Sequence, residues 1–420
     1  MEIELLDEVK ELSQATLGKF IARSDELGGP SSPECAKYWQ GLQYTPTARL
    51  DKQCEPLSEE YKVQQMALYS EMTGHEYQEM EHEFTPGVPV DSLLEAPNAY
   101  GFMAPHEFAR HCVAMGILVQ RLGLSSDQLV LELGSGWGFC QEFLAATGVQ
   151  SKGIDINPDF VCTSNQRLER LGFGSRTVLM PFGNIGPHLG LFDIVMSYEA
   201  FHHAVDPLSL LRSGVSCLKD RGRLVLAAEP FNAFYRTWGL RLDPYSVYCI
   251  NKFGWFESGW SADYIAFLFA MVGLEAEFID MPLSDLTRYM IGSQTGRIRP
   301  FQMGLWHPEV ESSVIRDGDN FFTTGRTRVL IPKREGVKNA QLEVQNFSRK
   351  SLKVIVDGLG KAQTTEVPPG TSNLSIDLSA ANEDGGTWFS LISETFCPAK
   401  QGINDDTRQL GVYVSALSYG

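Results

Sequence analysis

The amino-acid sequence predicts an α/β protein with a doubly wound sheet, preceded by a helical region and followed by a β-sandwich. Three observations lead to this class. Residues 1–95 are polar and place apolar side chains at helical spacing. From 96 to 305, apolar β-branched runs alternate with amphipathic segments, which is typical of a parallel sheet covered by helices. From 310 to 420, short alternating runs are separated by turn sequences.

The length of the chain indicates how many domains it forms, and its net charge argues against some classes of binding partner. At about 100–200 residues per domain, the 420 residues form several domains, each large enough to bury a core. The chain carries 35 Lys and Arg against 52 Asp and Glu, a formal net charge of −17. Proteins that bind nucleic acids or anionic membranes use basic patches to attract phosphate. We therefore expect no nucleic-acid partner, although a local basic pocket stays open.

The sequence predicts a cytoplasmic protein. Its apolar runs, such as 113–119 and 266–272, are far shorter than the ~20 residues that cross a bilayer. The acidic start lacks the basic and apolar regions of a signal peptide. The eight cysteines form no Cys-x-x-Cys pair, which favours reduced core thiols over disulfides or zinc.

The helical region contains one well-marked helix start. Ser58 precedes apolar residues at helical spacing and can cap the first turn. Further on, His75, Glu79 and His82 have the spacing of one helix face, which is compatible with a metal. A solvated acidic helix is the better interpretation, because the spacing is not that of a zinc site. We therefore predict no metal ligands.

Five runs in the central region are predicted to be buried parallel strands. Each is rich in apolar, mostly β-branched residues and is separated from the next by a helical segment. The runs are Gln128–Leu133, Lys152–Ile156, Arg176–Met180, Phe192–Ser197 and Arg223–Ala228.

The strongest signal is a glycine-rich turn after the first of these strands. Glu132 is followed by Gly134, Gly136 and Gly138, and then by an amphipathic helix. Without Cβ atoms, such a turn lets a ligand lie against the backbone at the carboxyl edge of the sheet. Asp155 lies 17 residues beyond Gly138, at the end of the next strand, where its carboxylate can accept hydrogen bonds from ribose hydroxyls.

At this point the sequence resembles the class I S-adenosylmethionine-dependent methyltransferases, whose first motif reads acid-x-Gly-x-Gly-x-Gly. The resemblance covers about residues 95–280 and implies a Rossmann-like methyltransferase sheet that binds S-adenosyl-L-methionine (SAM). It places Glu132 by the methionine amino group, the three glycines along the cofactor, and Asp155 on the ribose with Ile156 beside it. The alternative is a glycine-rich turn in another doubly wound domain.

The segment 192–207 resembles the fourth strand and following loop of the same family. Asp193 is then expected to be structural. Ser197, Tyr198, Glu199 and His202 fall at the carboxyl end of the strand, where open α/β sheets bind ligands. His203 aligns with the recurrent histidine of the family. For His202 and His203 both packing and a catalytic or acceptor-binding role stay open.

Two further parts of the cofactor site depart from the family pattern or rest on position alone. The acidic residue that usually binds adenine has no counterpart, so Phe182 and Asn184 are our candidates for packing and polar contact. Tyr100 lies before the glycine motif, in the place of a lid, and is a candidate for the methionine end. A plain helix-entry loop is the alternative.

The acceptor pocket is expected after the fifth strand. Glu229 and Glu257 are candidates for binding acceptor hydroxyls, and the aromatic run 253–260 either stacks on a sugar ring or fills the core. We include Glu229 with His202 and His203 as candidate catalytic residues.

The sandwich region, 310–420, resembles a β-rich module at the C-terminus of some bacterial polysaccharide-biosynthesis and glycosyltransferase-linked chains. The segments that carry this resemblance are 356–358, 388–398 and 405–412. The alternative is a generic sandwich in which Asp406 and Arg408 form a pair that stabilises a turn.

Together these features predict methyl transfer from SAM to a small-molecule or glycan-type acceptor, with an association with glycan-synthesis machinery as the implied partner. The alternatives are methylation of a secondary metabolite or protein, and a non-catalytic glycan-binding protein on a methyltransferase-like scaffold. The acceptor, the methylated atom, the oligomeric state and any metal requirement stay open.

Overall fold

The structure is a computed structural model and describes residues 11–51, 54–84, 88–101, 104–174, 176–231, 236–332, 334, 336–358, 362–378 and 386–420. The helices in these ranges are α1 (Leu17–Glu26), α2 (Pro33–Trp39), α3 (Glu59–Thr73), α4 (Glu79–His82), α5 (Val90–Glu95), α6 (Pro105–Leu122), α7 (Phe139–Ala146), α8 (Pro158–Arg170), α9 (Pro207–Ser216), α10 (Pro244–Phe253), α11 (Ala262–Met271) and α12 (Pro308–Glu311).

The predicted cap of the first long helix is confirmed. The Oγ of Ser58 accepts a hydrogen bond from the backbone N–H of Tyr61 at 3.1 Å, so one of the free N–H groups at the start of α3 is satisfied. Two-residue strands Leu12–Ser13 and Tyr44–Thr45 pair in parallel in the same region.

The prediction that His75, Glu79 and His82 share one helix face is wrong. Gly74 adopts φ +82° and ends α3, and α4 begins only at Glu79. A left-handed residue after the last turn is a common helix stop. The rings of His75 and His82 nevertheless stack, with centroids 4.3 Å apart.

Seven strands form one mixed sheet. They are β1 (Leu129–Leu133), β2 (Gln150–Asp155), β3 (Thr177–Leu179), β4 (Phe192–Tyr198), β5 (Leu218–Ala227), β6 (Glu275–Asp280) and β7 (Arg288–Ser293). The order is β3-β2-β1-β4-β5-β7-β6. Because the order runs outward from β1 in both directions, the carboxyl ends of β1 and β4 mark the switch point at which such sheets bind ligands.

The sheet differs from the five buried parallel strands that were predicted. β1, β2 and β3 pair in parallel, but β7 pairs antiparallel with both β5 and β6. A short connection joins β6 to β7, and short connections permit only antiparallel pairing. β3 is an edge strand, with Val178 and Leu179 37% and 54% exposed. Asp193 on β4 pairs with Lys219 at 2.8 Å, which supports its predicted structural role.

The predicted sandwich is confirmed as two antiparallel sheets. Its strands are β8 (Arg297–Ile298), β9 (Val314–Asp317), β10 (Asn320–Thr323), β11 (Arg326–Pro332), β12 (Asn339–Asn346), β13 (Leu352–Asp357), β14 (Gln363–Val367), β15 (Gly370–Asp377), β16 (Gly386–Ser393) and β17 (Tyr413–Tyr419). One sheet has the order β9-β10-β17-β12-β15, with β8 paired to β17, and the other β11-β16-β13-β14. Asp406 accepts two hydrogen bonds from the Arg408 guanidinium, which lower the pKa of Asp406 to about 2.

Two compact units make up the chain. One comprises Met1–Ile185, Met196–Leu210 and Ala228–Gly259, and the other Gly186–Val195, Leu211–Ala227 and Trp260–Gly420. All predicted site residues belong to the first unit. Among the described residues, no helix combines the length and the apolar character that crossing a membrane requires.

All eight cysteines are free thiols, as predicted. The expectation that they lie in the core is wrong for Cys162, which is exposed on α8, while Cys54 and Cys112 are half-buried.

Candidate functional site

The turn between β1 and α7 is held against β2 by backbone hydrogen bonds. The N–H groups of Gly134 and Ser135 donate to the carbonyl of Ile154 at 3.0 and 2.9 Å. Gly134, Gly136 and Gly138 adopt φ values of +72°, +47° and +84°. Residues with a Cβ rarely adopt this conformation, so the alternating glycines allow the chain to turn from strand to helix.

The three glycines differ in what surrounds them. A Cβ on Gly134 would lie 2.5 Å from the Cβ of Ala200, and one on Gly138 would lie 2.3 Å from the Oγ of Ser164. These two glycines permit close packing of the turn. A Cβ on Gly136 would meet nothing within 4 Å, so the backbone of Gly136 is the part of the turn that a ligand can approach.

Asp155 lies beside this open backbone. Its Oδ2 accepts the N–H of Gly136 at 2.7 Å, and its Oδ1 accepts the N–H of Asn157 at 2.8 Å. Each carboxylate oxygen can accept a second hydrogen bond, so the side chain can also receive two hydroxyls of a ligand. Burial raises the pKa of Asp155 to about 6, and the two backbone donors oppose that rise.

Glu132 forms the inner end of the same cradle. Its residue exposure is 2%, and its Oε2 accepts the amide of Gln141 at 2.7 Å. Gln141 is itself fixed by Ser151, whose hydroxyl donates to the amide oxygen at 2.9 Å. Burial raises the pKa of Glu132 to about 7. A cationic group that enters this cradle would therefore meet an oriented carboxylate that is poorly solvated.

The carboxyl end of β4 lies beside that of β1. Ser197 donates its hydroxyl to the carbonyl of Leu133 at 3.3 Å. The chain then forms a 3₁₀ turn over Phe201–His203, whose backbone is held by Glu229. The Oε1 of Glu229 accepts the N–H groups of Ala200 and Phe201 at 3.0 and 2.8 Å.

Glu229 also orients His202. Its Oε2 accepts the backbone N–H of His202 at 3.2 Å and the ring Nδ1–H at 2.9 Å. With Nδ1 as the donor, Nε2 carries the lone pair of the imidazole. The Nε2 lies 3.7 Å from the Oε2 of Glu257, a buried carboxylate on the loop after α10. The geometry therefore gives Glu229 a positioning function and leaves Nε2 of His202 facing Glu257.

His203 is paired with a residue from the helical region. Its Nδ1 lies 3.1 Å from the Oε2 of Glu83, although the two groups lack the alignment of a hydrogen bond. Burial lowers the pKa of His203, but the carboxylate of Glu83, with smaller contributions from Glu257 and Glu229, outweighs this effect and raises the pKa to about 9. The Oε1 of Glu83 accepts the hydroxyl of Tyr77 and the N–H of Phe256, at 2.9 and 2.8 Å.

Tyr100 lies in a second group of polar side chains. Its hydroxyl is 3.2 Å from Nδ1 of His111, and the same nitrogen is 2.9 Å from the hydroxyl of Tyr198. The ring of Tyr100 packs on Phe139 at the start of α7, with centroids 5.1 Å apart. The structure thus anchors Tyr100 beside the helix that follows the glycine turn.

Of the three non-glycine residues with positive φ in the described ranges, two lie at the carboxyl ends of β4 and β5, and the third, Arg221, lies within β5. Glu199 and Ala228, which directly follow these strands, have φ values of +52° and +56°. Non-glycine residues pay roughly 1–2 kcal/mol for this conformation, and it often marks functional sites. Glu199 lies two residues before the 3₁₀ turn, and Ala228 directly precedes Glu229.

The two candidates for adenine binding, Phe182 and Asn184, are less buried than Glu132 and Asp155. The Phe182 ring lies near the glycine turn, with its Cζ 3.5 Å from the position of a Cβ on Gly134, and Asn184 is exposed. Ile156 is half-buried directly after Asp155.

The structure therefore brings the predicted residues into two neighbouring groups. Glu132, Gly136 and Asp155 form a cradle, and His202, His203 and Glu229 form a cluster that Glu257 joins. Glu83 was missed by the sequence reasoning, because it lies in no motif, and only the folded chain shows its contact with His203. The roles of these residues stay predictions.

Comparisons with known proteins locate a domain within the chain. Residues 131–226 match the family model described as "Methyltransferase domain". The chain is 33% identical over 101 residues to a ubiquinone biosynthesis O-methyltransferase of Xanthomonas axonopodis pv. citri, which is 23% of this chain and 41% of that enzyme. It is 27% identical over 113 residues to protein-L-isoaspartate O-methyltransferase 1 of Syntrophobacter fumaroxidans, covering 27% of this chain and 50% of that one.

Among solved structures, magnesium protoporphyrin IX methyltransferase from Synechocystis PCC 6803 with bound SAM matches at 17% identity. The match covers 50% of this chain and 92% of that chain, with a TM-score of 0.36. The chain spans about two fifths to one half of the length of the curated relatives it matches. Residues 131–226 thus match a methyltransferase domain, and the strands in this range belong to the doubly wound sheet described above.

Proposed function

We propose that this protein transfers the methyl group of SAM to an acceptor, and that the acceptor is a sugar or glycan. The cradle is the observation that supports SAM as the methyl donor. Gly136 presents open backbone, Asp155 has free lone pairs beside it, and Glu132 supplies a buried carboxylate on the inner side. These groups fit the ribose hydroxyls and the ammonium of SAM.

The chemistry needs alignment more than covalent assistance from the protein. When bound, SAM supplies a sulfonium methyl group whose carbon the acceptor atom attacks in line, and the electron pair of the broken carbon–sulfur bond leaves with the sulfur. The residues of the cradle hold the cofactor in one orientation, so the acceptor meets the methyl group at a fixed angle. Positioning of this kind can supply about 7–11 kcal/mol of the barrier.

A hydroxyl acceptor must also lose its proton. We propose that this happens at the cluster of His202, His203 and Glu257, with Glu229 holding His202 in place. The cluster lies within the same compact unit as the cradle, and both follow strands that end at the switch point of the sheet. An amine acceptor would not require this step.

The proposal of a sugar rests on the aromatic side chains at this cluster. Trp255 lies edge-on to His203, with centroids 5.9 Å apart, and packs on Phe253 at 4.8 Å. Aromatic faces combined with carboxylates are typical of sites that bind sugar rings. The resemblance of the sandwich to modules of polysaccharide biosynthesis suggests an association with glycan-synthesis machinery.

The test is a comparison of cellular glycans. Glycans from cells with the intact gene and from cells carrying Asp155→Ala are hydrolysed, and their methyl ethers are measured by mass spectrometry. We expect one methylated sugar to disappear in the variant. If the methyl ethers are identical, the glycan acceptor is excluded, and a secondary metabolite or a protein becomes the acceptor to pursue.

Cofactor affinity is expected to fall as the pH falls from 8 to 6. Burial raises the pKa of Glu132 to about 7, so below pH 7 the free protein holds a proton that binding of the ammonium must expel. The dissociation constant of S-adenosylhomocysteine (SAH), measured by calorimetry, should rise about tenfold per pH unit below that pKa. Asp155 has its raised pKa at about 6 and contributes mainly below this window.

Glu132→Gln is the control for this pH dependence. The amide cannot titrate, so we expect weaker binding at pH 8 and a nearly flat profile between pH 6.5 and 8. A flat profile for the unaltered protein would contradict the role of Glu132.

A further inference from the structure

We propose that His202, His203 and Glu257 bind a divalent transition-metal ion at the acceptor side of the site. In the described part of the chain, these residues can each offer one ligand atom such that all three atoms lie within 4.8 Å of one another. His202 and His203 are adjacent, with ring centroids 4.3 Å apart, and Glu257 comes from the loop after α10. The three ligands thus come from two segments that the fold brings together.

The burial of the Glu257 carboxylate supports a bound metal ion. The residue exposure of Glu257 is 3%, and the two cationic groups that face its carboxylate lie beyond hydrogen-bond distance. Its nearest cationic groups are Nε2 of His202 at 3.7 Å and Nη1 of Arg241 at 3.9 Å. A carboxylate in a residue this well buried is stabilised by an adjacent cation, and an ion between Glu257 and His202 would supply one.

The orientation of the His202 ring also supports a bound metal ion. A histidine that binds a metal usually donates its other ring N–H to a carboxylate, which fixes the tautomer and the ring. The hydrogen bond from Nδ1 of His202 to Glu229 at 2.9 Å has this form and leaves Nε2 toward Glu257. The separation of 3.7 Å is too long for a hydrogen bond, and it suits two ligands of one ion.

The charges around the cluster also favour a cation. Three carboxylates, those of Glu83, Glu229 and Glu257, contact the two imidazoles. The guanidinium of Arg241 is a positive charge close to Glu257, but its Nε donates a hydrogen bond to Oδ2 of Asp243 at 3.0 Å. His203 must lose its proton to become a ligand, and the charge of the ion would compensate for that loss.

The donor set indicates the kind of ion. Two imidazole nitrogens and one carboxylate oxygen suit Zn²⁺, Mn²⁺ or Fe²⁺, whereas Mg²⁺ and Ca²⁺ prefer oxygen ligands. Three protein ligands leave at least one coordination position open. Resting on the proposed function, we infer that the acceptor hydroxyl would take this position. With the ion bound, His202 would assist loss of the hydroxyl proton as a ligand of the ion and not as a free base, and the proton would pass to solvent. The oxygen then forms its bond to the methyl carbon as the sulfur–carbon bond breaks.

The experiment measures metal binding without reference to activity. The full-length protein is treated with chelator, dialysed and titrated with Zn²⁺ alone by calorimetry, and its bound metal is counted by mass spectrometry. We expect one ion per chain, and at least a 100-fold loss of affinity in Glu257→Gln. His75→Ala is the matched control, because His75 and His82 form another histidine pair with centroids 4.3 Å apart.

SAH affinity, measured on each metal-free protein, shows whether the variant is folded. If Glu257→Gln binds no SAH, then His203→Gln takes its place as the test variant. Absence of stoichiometric Zn²⁺, or unchanged affinity in the folded variant, would overturn the proposal. SAH binding by the metal-free protein would leave the proposed methyl transfer intact, so the two failures are distinguishable.

Discussion

Asp155→Ala is expected to weaken the binding of SAH at least 100-fold. The carboxylate accepts the N–H of Gly136 and that of Asn157, and its remaining lone pairs face the space in which the ribose is proposed to lie. Hydrogen bonds to a charged group contribute about 1.5–3 kcal/mol each, so two of them account for this loss. Isothermal titration calorimetry with SAH at pH 8 measures it.

The variant also loses the contact that orients the glycine turn, so its fold must be checked. Asp159→Ala is the matched control, because Asp159 is an exposed carboxylate on the first turn of α8, four residues away. We expect SAH affinity in Asp159→Ala to stay within about twofold of the unaltered protein, as is usual for exposed positions. Equal affinities for Asp155→Ala and Asp159→Ala would remove Asp155 from the cofactor site.

His202→Ala is expected to lower turnover by about 100-fold or more while SAH affinity stays within twofold. A group that removes a proton from the acceptor contributes about 10²–10⁴-fold to the rate. The side chain does not belong to the cradle of Glu132, Gly136 and Asp155, so the cofactor should bind as before. Turnover is measured as transfer of labelled methyl from SAM to the acceptor that the glycan comparison identifies.

His106→Ala serves as the control for this substitution. The side chain of His106 is 76% exposed near the start of α6, and we expect its removal to leave turnover unchanged. If His202→Ala turned over as fast as His106→Ala, deprotonation at the cluster would be excluded. An amine acceptor, which needs no such step, would then be the better proposal.

The sequence was sufficient to predict the part of the fold that builds the cradle. Each of the five strands was located because each is rich in apolar residues, although β3 lies at the exposed edge of the sheet. The glycine turn was recognisable because three left-handed residues at alternate positions require glycine. The different surroundings of the three glycines could not be predicted from the sequence. Only the packing against Ala200 and Ser164 shows that Gly136 differs from Gly134 and Gly138.

The remaining features depend on contacts between distant segments. β6 and β7 are antiparallel additions to the sheet, and the half-buried pattern of β6 does not mark it as part of an α/β core. Glu83 meets His203 across 120 positions of sequence, and no local pattern encodes that contact. The histidine face predicted around residue 79 failed because Gly74 ended the preceding helix.

The most direct test of the account is calorimetric titration of SAH into the full-length protein at pH 8. The cradle of Glu132, Gly136 and Asp155 predicts one binding site per chain, and predicts that the heat of binding is lost in Asp155→Ala but retained in Asp159→Ala. Absence of saturable binding to the folded, unaltered protein would contradict the assignment of the cradle and with it the proposed methyl transfer.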